Sequence, residues 1–221
     1  MSTVPAATLL GALLLAGCAT STLPLPVQPA GPGLVAQGSL EDPAGDLLDG
    51  DDNLVDTPAY IDIRSLVAVA DGATLRLTLT LAGALPAATD PDVERLLYWV
   101  AIHTDGDAIP ERDDLNVGVG YTARLHSRGA LGYQPGIRDW RGSDFPDELL
   151  GPDFPGTADV AGDTIVLTVP LAALRNPHVI RIGAWTTRFP NPPRGRWGDP
   201  WDTLPDSDFG GATEDWLVLG S

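Results

Sequence analysis

Between Leu75 and Leu81 the chain alternates strictly, with Leu75, Leu77, Leu79 and Leu81 separated by Arg76, Thr78 and Thr80. A period of two puts the leucines on one face and the polar side chains on the other, which predicts a half-buried strand of an antiparallel sheet. The preceding run, Tyr60 to Ala70, alternates through Ile61, Ile63, Val67 and Val69, and Asp71-Gly72 supplies the turn of a predicted hairpin. Leu96 to Thr104 is apolar nearly throughout, as a central strand covered on both sides would be, and Leu115, Val117, Val119, Tyr121, Ala123 and Leu125 mark a further alternating strand. Thr164 to Val169, Val179 to Thr187 and Trp216 to Leu219 add three more. Pro170-Leu171-Ala172-Ala173-Leu174 predicts one helical turn, because proline suits a first turn and the two leucines lie three apart. No long amphipathic helix is visible. The expected fold is all-β, an antiparallel two-sheet β-sandwich of about seven to nine strands with that turn, near residues 170–174, as a cap.

Charge divides the 221 residues unevenly: from Met1 to Leu40 only Cys18 is ionisable, and every charged side chain lies from Glu41 onward. Ala6 to Ala16 is an apolar run too short to cross a bilayer, which takes roughly 20 residues, and it has the length of a signal-peptide core. At its end, Leu15-Ala16-Gly17-Cys18 resembles the lipobox of bacterial lipoproteins in all four positions, although no Arg or Lys precedes Arg64 to form the usual basic leader. The resemblance implies cleavage before Cys18, acylation of Cys18, and a membrane anchor outside the cytoplasm; Ala19 would favour the outer membrane of a two-membrane bacterium. Residues 18–39, with Pro24, Pro26, Pro29 and Pro32, are expected to be an extended tether reaching up to roughly 60 Å. The expected organisation is a signal peptide at 1–17, this lipidated tether at 18–39, and a sandwich domain at 40–221.

Composition narrows the chemistry. Cys18 is the only cysteine, so the domain has no disulfide, no Cys-based zinc site and no thiol nucleophile. All 13 basic residues are Arg against 30 Asp plus Glu, and a net charge of -17 disfavours nucleic acid as a partner.

A second resemblance rests on the order of short motifs. The Asp-rich opening Asp42-Pro43-Ala44-Gly45-Asp46, Asp62 in a first strand, Leu75-Arg76-Leu77-Thr78-Leu79 and Tyr98-Trp99-Val100-Ala101-Ile102-His103-Thr104-Asp105-Gly106-Asp107 are followed by Pro170-Leu171-Ala172-Ala173-Leu174 and Ile182-Gly183-Ala184-Trp185. This order is similar to DOMON-like and family 9 carbohydrate-binding-module-like sandwiches. It implies a sugar-binding module, with calcium or haem in some members. Haem is not expected here, because the sole methionine is Met1 and no Met-His axial pair can form.

Two constellations are candidates for function. Asp105, Asp107 and Asp113 in one acidic loop, and Asp42 and Asp46 in another, offer hard oxygens to Ca2+, without the spacing of an EF-hand. Against this stands the ordinary role of Asp and Gly in turns. Trp140, Trp197 and Trp201 lie in loop-like sequence beside Arg138 and Arg196, a combination suited to sugar rings, whereas Trp99, Trp185 and Trp216 fall in strands and are expected in the core. His103, His126 and His178 form no local metal pair, though His103 and His126 could meet across strands, and there is no GxSxG elbow or phosphate loop. The leading expectation is therefore a non-catalytic, membrane-anchored glycan-binding module. A structural or protein-interaction domain and an unrecognised hydrolase are the alternatives.

Overall fold

The computed structural model describes residues 33–43, 45–46, 58–87, 93–104, 120–127, 131–139, 148–190, 201–204 and 216–220; at 93–95, 148–150, 189–190 and 201 only the strand path is described. The predicted Asp105, Asp107, Asp113, Trp140, Arg196 and Trp197 lie outside these residues, as does Cys18.

The described strands are β1 (Val35–Glu41), β2 (Ile63–Asp71), β3 (Thr74–Leu81), β4 (Val93–Thr104), β5 (Tyr121–Ser127) and β6 (Tyr133–Asp139). They continue with β7 (Glu148–Leu150), β8 (Thr157–Ala161), β9 (Thr164–Pro170), β10 (Ile180–Pro190), β11 (Trp201–Leu204) and β12 (Leu217–Leu219). One sheet has the order β1-β2-β3-β9-β8; the other runs β11-β10-β4-β5-β6-β7, with β12 also paired to β10. Every pairing is antiparallel. The fold is the expected all-β, two-sheet sandwich.

The leucine alternation of β3 does what its period dictates. Leu75, Leu77, Leu79 and Leu81 are buried, and across the register they meet Val169, Leu167 and Ile165 of β9 and Ala70, Ala68 and Leu66 of β2. From the opposite sheet, Tyr98, Val100 and Ile102 of β4, Ala123 and Leu125 of β5, and Ile180 and Ile182 of β10 complete one core. Such interdigitation is what holds two sheets about 10 Å apart. The hairpin closes at Asp71-Gly72, where Gly72 takes φ 91° and the Asp71 carboxylate accepts the Ala73 and Thr74 N–H groups at 2.9 and 2.7 Å. These donors, with the Thr74 hydroxyl, hold the Asp71 carboxyl below its usual range. The predicted cap is a 3-10 turn at Leu171–Leu174, with Leu171 and Leu174 both buried in the core.

Two expectations shift. Val35 to Ser39, read as the end of the tether, belong to β1 and pair with β2. Their inward positions are Ala36 and Gly38, too small to register as an apolar stripe, and at Gly38 a Cβ would stand 2.6 Å from the Leu217 side chain. His103 and His126 do not meet: His126 pairs with Leu97, six positions along β4 from His103, or about 20 Å at 3.3 Å per residue.

Candidate metal centre

Four aspartates converge where the β1 and β2 edge of one sheet approaches β11 of the other. Asp42 occupies the next inward position after Leu40 and is only 5 % exposed, its N–H donating to Arg64 O at 3.0 Å to extend the ladder. Asp62 directly precedes β2 and is 6 % exposed. Asp202 sits in β11 opposite Thr186 of β10 and is 2 % exposed. Asp46 is half-buried, and one oxygen each from Asp42, Asp46 and Asp202 lies within 4.8 Å of the others.

Local geometry fixes each carboxylate. Asp202 spans the two sheets: its Oδ2 accepts the Ile63 N–H at 2.6 Å and its Oδ1 the Thr203 N–H at 2.9 Å. Beside it the Thr186 hydroxyl donates to Ile61 O, a second tie between β10 and the segment entering β2. Gly45 adopts φ 78°, a conformation that side chains resist, and so turns its N–H onto Asp62 Oδ2 at 2.9 Å. Space does not demand the glycine, because a Cβ there would meet nothing within 4 Å. The backbone angle does.

The other Asp62 oxygen, Oδ1, is buried with no hydrogen-bond donor among the described residues. Burial pushes the Asp202 carboxyl up to about 7; the charges of Asp46 and Asp62 act the same way, against the Ile63 and Thr203 N–H groups that favour the anion. Taking one carboxylate out of water is costly, and gathering several in one place compounds the cost through like-charge repulsion. A cation removes both penalties. Two oxygens on opposite sides of a Ca2+ stand roughly 4.6–5.2 Å apart, given ligand distances of 2.3–2.6 Å, and an all-carboxylate set with no His or Cys matches a hard ion. The described residues therefore fit calcium at Asp42, Asp46 and Asp202, with Asp62 adjoining.

Of the sequence-predicted ligands, Asp42 and Asp46 are brought together. Asp202 joins them, as does Asp62, which the motif order places only in a strand. Nothing local announces that pairing, since Asp202 and the Ile63 amide it accepts are 139 positions apart. Trp201 is the first residue of β11 and not part of a loop. Arg138 lies in β6, half-buried, opposite Thr122 of β5 and Glu148 of β7, and desolvation holds its guanidinium below the ordinary arginine range.

The tryptophans expected in the core are elsewhere. Odd-numbered positions of β4 and β10 point away from the other sheet, so Trp99 and Trp185, paired in register, share the outer face of the larger sheet. Their rings meet edge to face at 4.6 Å between centroids, and the Arg124 guanidinium lies 5.9 Å above the Trp99 ring. The signal that could have found this was Arg124 itself, alternating with Ala123 and Leu125.

Searches of family models, of curated proteins and of solved structures return no match to this chain.

Proposed function

We propose that the chain is an exported, lipid-anchored β-sandwich that acts as a non-catalytic glycan-binding module, with a calcium ion joining its two sheets at Asp42, Asp46, Asp62 and Asp202. The observation that carries the cation is the convergence of carboxylates: Asp42, Asp62 and Asp202 are each at least nine-tenths buried, and ligand oxygens of Asp42, Asp46 and Asp202 stand within 4.8 Å. The anchor is supported by Leu15-Ala16-Gly17-Cys18, and the binding role by the order of motifs shared with carbohydrate-binding sandwiches.

The same burial argues against a hydrolase at this place. A glycosidase presents two carboxyl groups to a sugar, about 5 to 9.5 Å apart, with one raised toward neutrality. Asp202 has the raised value, yet at 2 % exposure no substrate reaches it. Its chemistry is that of a ligand to an ion. A protein-docking role finds little support among the described residues, because the exposed large hydrophobics Val35, Val67, Leu131, Val160 and Val218 stand on different elements.

Thermal unfolding in excess Ca2+ and in EDTA tests the cation. Saturation at about 100 to 1,000 times Kd stabilises by roughly 2.7 to 4.1 kcal/mol, and Asp202→Asn together with Asp42→Asn should abolish the shift. An unchanged midpoint in wild type removes the calcium reading. Palmitate labelling of wild type and Cys18→Ser tests the anchor, and equal labelling of both removes it.

A further inference from the structure

The four aspartates of the cation site are carried by different parts of the chain. Asp62 and Asp202 belong to the framework: Asp62 leads into β2, and Asp202 lies in β11, paired with β10 and accepting the Ile63 N–H from the other sheet. Asp42 and Asp46 belong to the segment that leaves β1. That segment is joined to the framework by the Asp42 N–H on Arg64 O at 3.0 Å and the Gly45 N–H on Asp62 Oδ2 at 2.9 Å. The remaining oxygen, Asp62 Oδ1, belongs to a residue 6 % exposed and has no donor among the described residues. A buried anionic oxygen in that condition calls for a cation.

β1 itself has few other holds. It is the outer strand of its sheet, its hydrogen-bonded strand neighbour among the described residues is β2, and none of its seven residues is buried. Its inward positions are Ala36, Gly38 and Leu40: a methyl group, no side chain at all, and a leucine that is only half-buried. Two strands away from it in the same sheet, β3 buries four leucines. The anchors of β1 stand just beyond its ends. Leu34 enters the core at one end, its carbonyl accepting the Gly72 N–H at 2.8 Å. Asp42 takes the inward place at the other, beside Asp46 and Asp202. An apolar anchor holds under all conditions, whereas a buried carboxylate among others holds only when its charge is compensated.

We propose that the cation controls β1: with Ca2+ bound the strand stays docked on β2, and without it Val35–Glu41 opens as a unit while the rest of the sandwich keeps its fold. This rests on the calcium reading above and names what the ion governs. The reason is connectivity, because the ion ties the two carboxylates that follow β1 to the two fixed in the framework. Its loss leaves like charges facing one another at the end of a strand that little else secures. Opening uncovers the edge of β2, a row of N–H and C=O groups able to accept an added strand. Calcium then sets whether this sheet presents a covered or a receptive edge.

The test is hydrogen–deuterium exchange of the full mature chain, read by mass spectrometry in peptides spanning β1 and β3, in EDTA, in Ca2+ and in KCl of matched ionic strength. In EDTA β1 should exchange roughly tenfold faster than β3, or more, as a locally opening strand does. Calcium at about 100 times Kd should slow β1 by about a hundredfold, and KCl should not. Asp202→Asn, in the opposite sheet, should leave β1 exchanging in Ca2+ as fast as in EDTA. Should that variant fail to fold, Asp46→Asn should raise the calcium concentration needed for half-maximal slowing. Melting in Ca2+ and EDTA reads the ion separately. A melting shift with β1 as slow as β3 in EDTA, or with β1 exchange indifferent to calcium, overturns this inference and leaves the calcium reading standing. Slowing by KCl to the same extent shows screening and not a bound ion, and overturns it too. No change in either melting or exchange removes the calcium reading and this inference together.

Discussion

The two outer faces of the sandwich are built by the same alternation and come out opposite. On the smaller sheet Arg76, Thr78, Thr164 and Val166 are exposed or half-exposed, the ordinary polar side of a strand with one buried face. On the larger sheet the outward positions are mixed: Trp99, Ala101, His103 and Arg181 are half-buried, Trp185 and Thr187 are buried, and β5 is buried at all seven residues from Tyr121 to Ser127, including Arg124 and His126. Burying a cation costs more than burying an apolar side chain and is tolerated where neighbouring groups satisfy it. The smaller sheet is shaped by the core alone. The larger one buries polar side chains on its outer face as well.

The sharpest break between core and outer face should be seen in β3. Leu77→Ala removes a side chain that is 1 % exposed and should cost about 2 to 5 kcal/mol in urea unfolding, while Thr78→Ala next to it should stay within about 0.5 kcal/mol.

The cation junction at one edge should respond to pH next. Without calcium, Asp202 titrates near 7 in the folded chain and near 3.9 when unfolded, so between those values the native state holds the extra proton. Stability from this group is then fully present below about pH 4, falls as pH rises at up to roughly 1.4 kcal/mol per unit, and is gone above about 7. Saturating calcium should flatten that slope by holding the carboxylates ionised. Denaturant midpoints at several pH values, in EDTA and in Ca2+, measure both.

A direct comparison of the faces comes from their arginines. Arg124→Ala should destabilise by about 1 to 3 kcal/mol because it empties a buried, stacked position, whereas Arg76→Ala on the solvated face should change stability by less than about 0.5 kcal/mol. If the two cost the same, the proposed difference between the faces is wrong. A loss at the low end of the Arg124 range is expected at Gly183→Ala, where the new Cβ crowds the Trp216 ring: about 1 kcal/mol, with a displaced indole seen as a shift in tryptophan emission.

What the sequence disclosed follows the same division. The β2–β3 turn, β3, β9 and the Leu171–Leu174 turn were legible from a steady apolar period and from Asp-Gly or Pro, whereas in β2 the phase slips at the register shift between Ile63 and Ser65, so Leu66, Ala68 and Ala70 face the core and the expected Val67 and Val69 do not. β1 was hidden by Ala36 and Gly38, and β6 by Pro135 and Gly136, which read as loop; Pro135 is tolerated by local pairing that only the folded sheet reveals. Trp99 and Trp185 looked like core because a strand buried on both sides has no polar face to betray which side is which. Asp42 and Asp46 were legible as an acidic loop. Asp202 was not, because its role depends on two sheets meeting.

If the domain is held through its N-terminus, as proposed, the position of β1 decides how it bears force. Tension on the tether would enter at Val35, in the outer strand of its sheet, whose hydrogen-bonded strand neighbour among the described residues is β2. Strand bonds loaded one after another from an end yield in sequence, as a zip does, from Val35 toward Glu41. The next residue is Asp42, clasped with Asp202 of the opposite sheet. The proposed ion there would act as a rivet at the end of the zip, and drag on the module would be arrested at the point where the two sheets are joined.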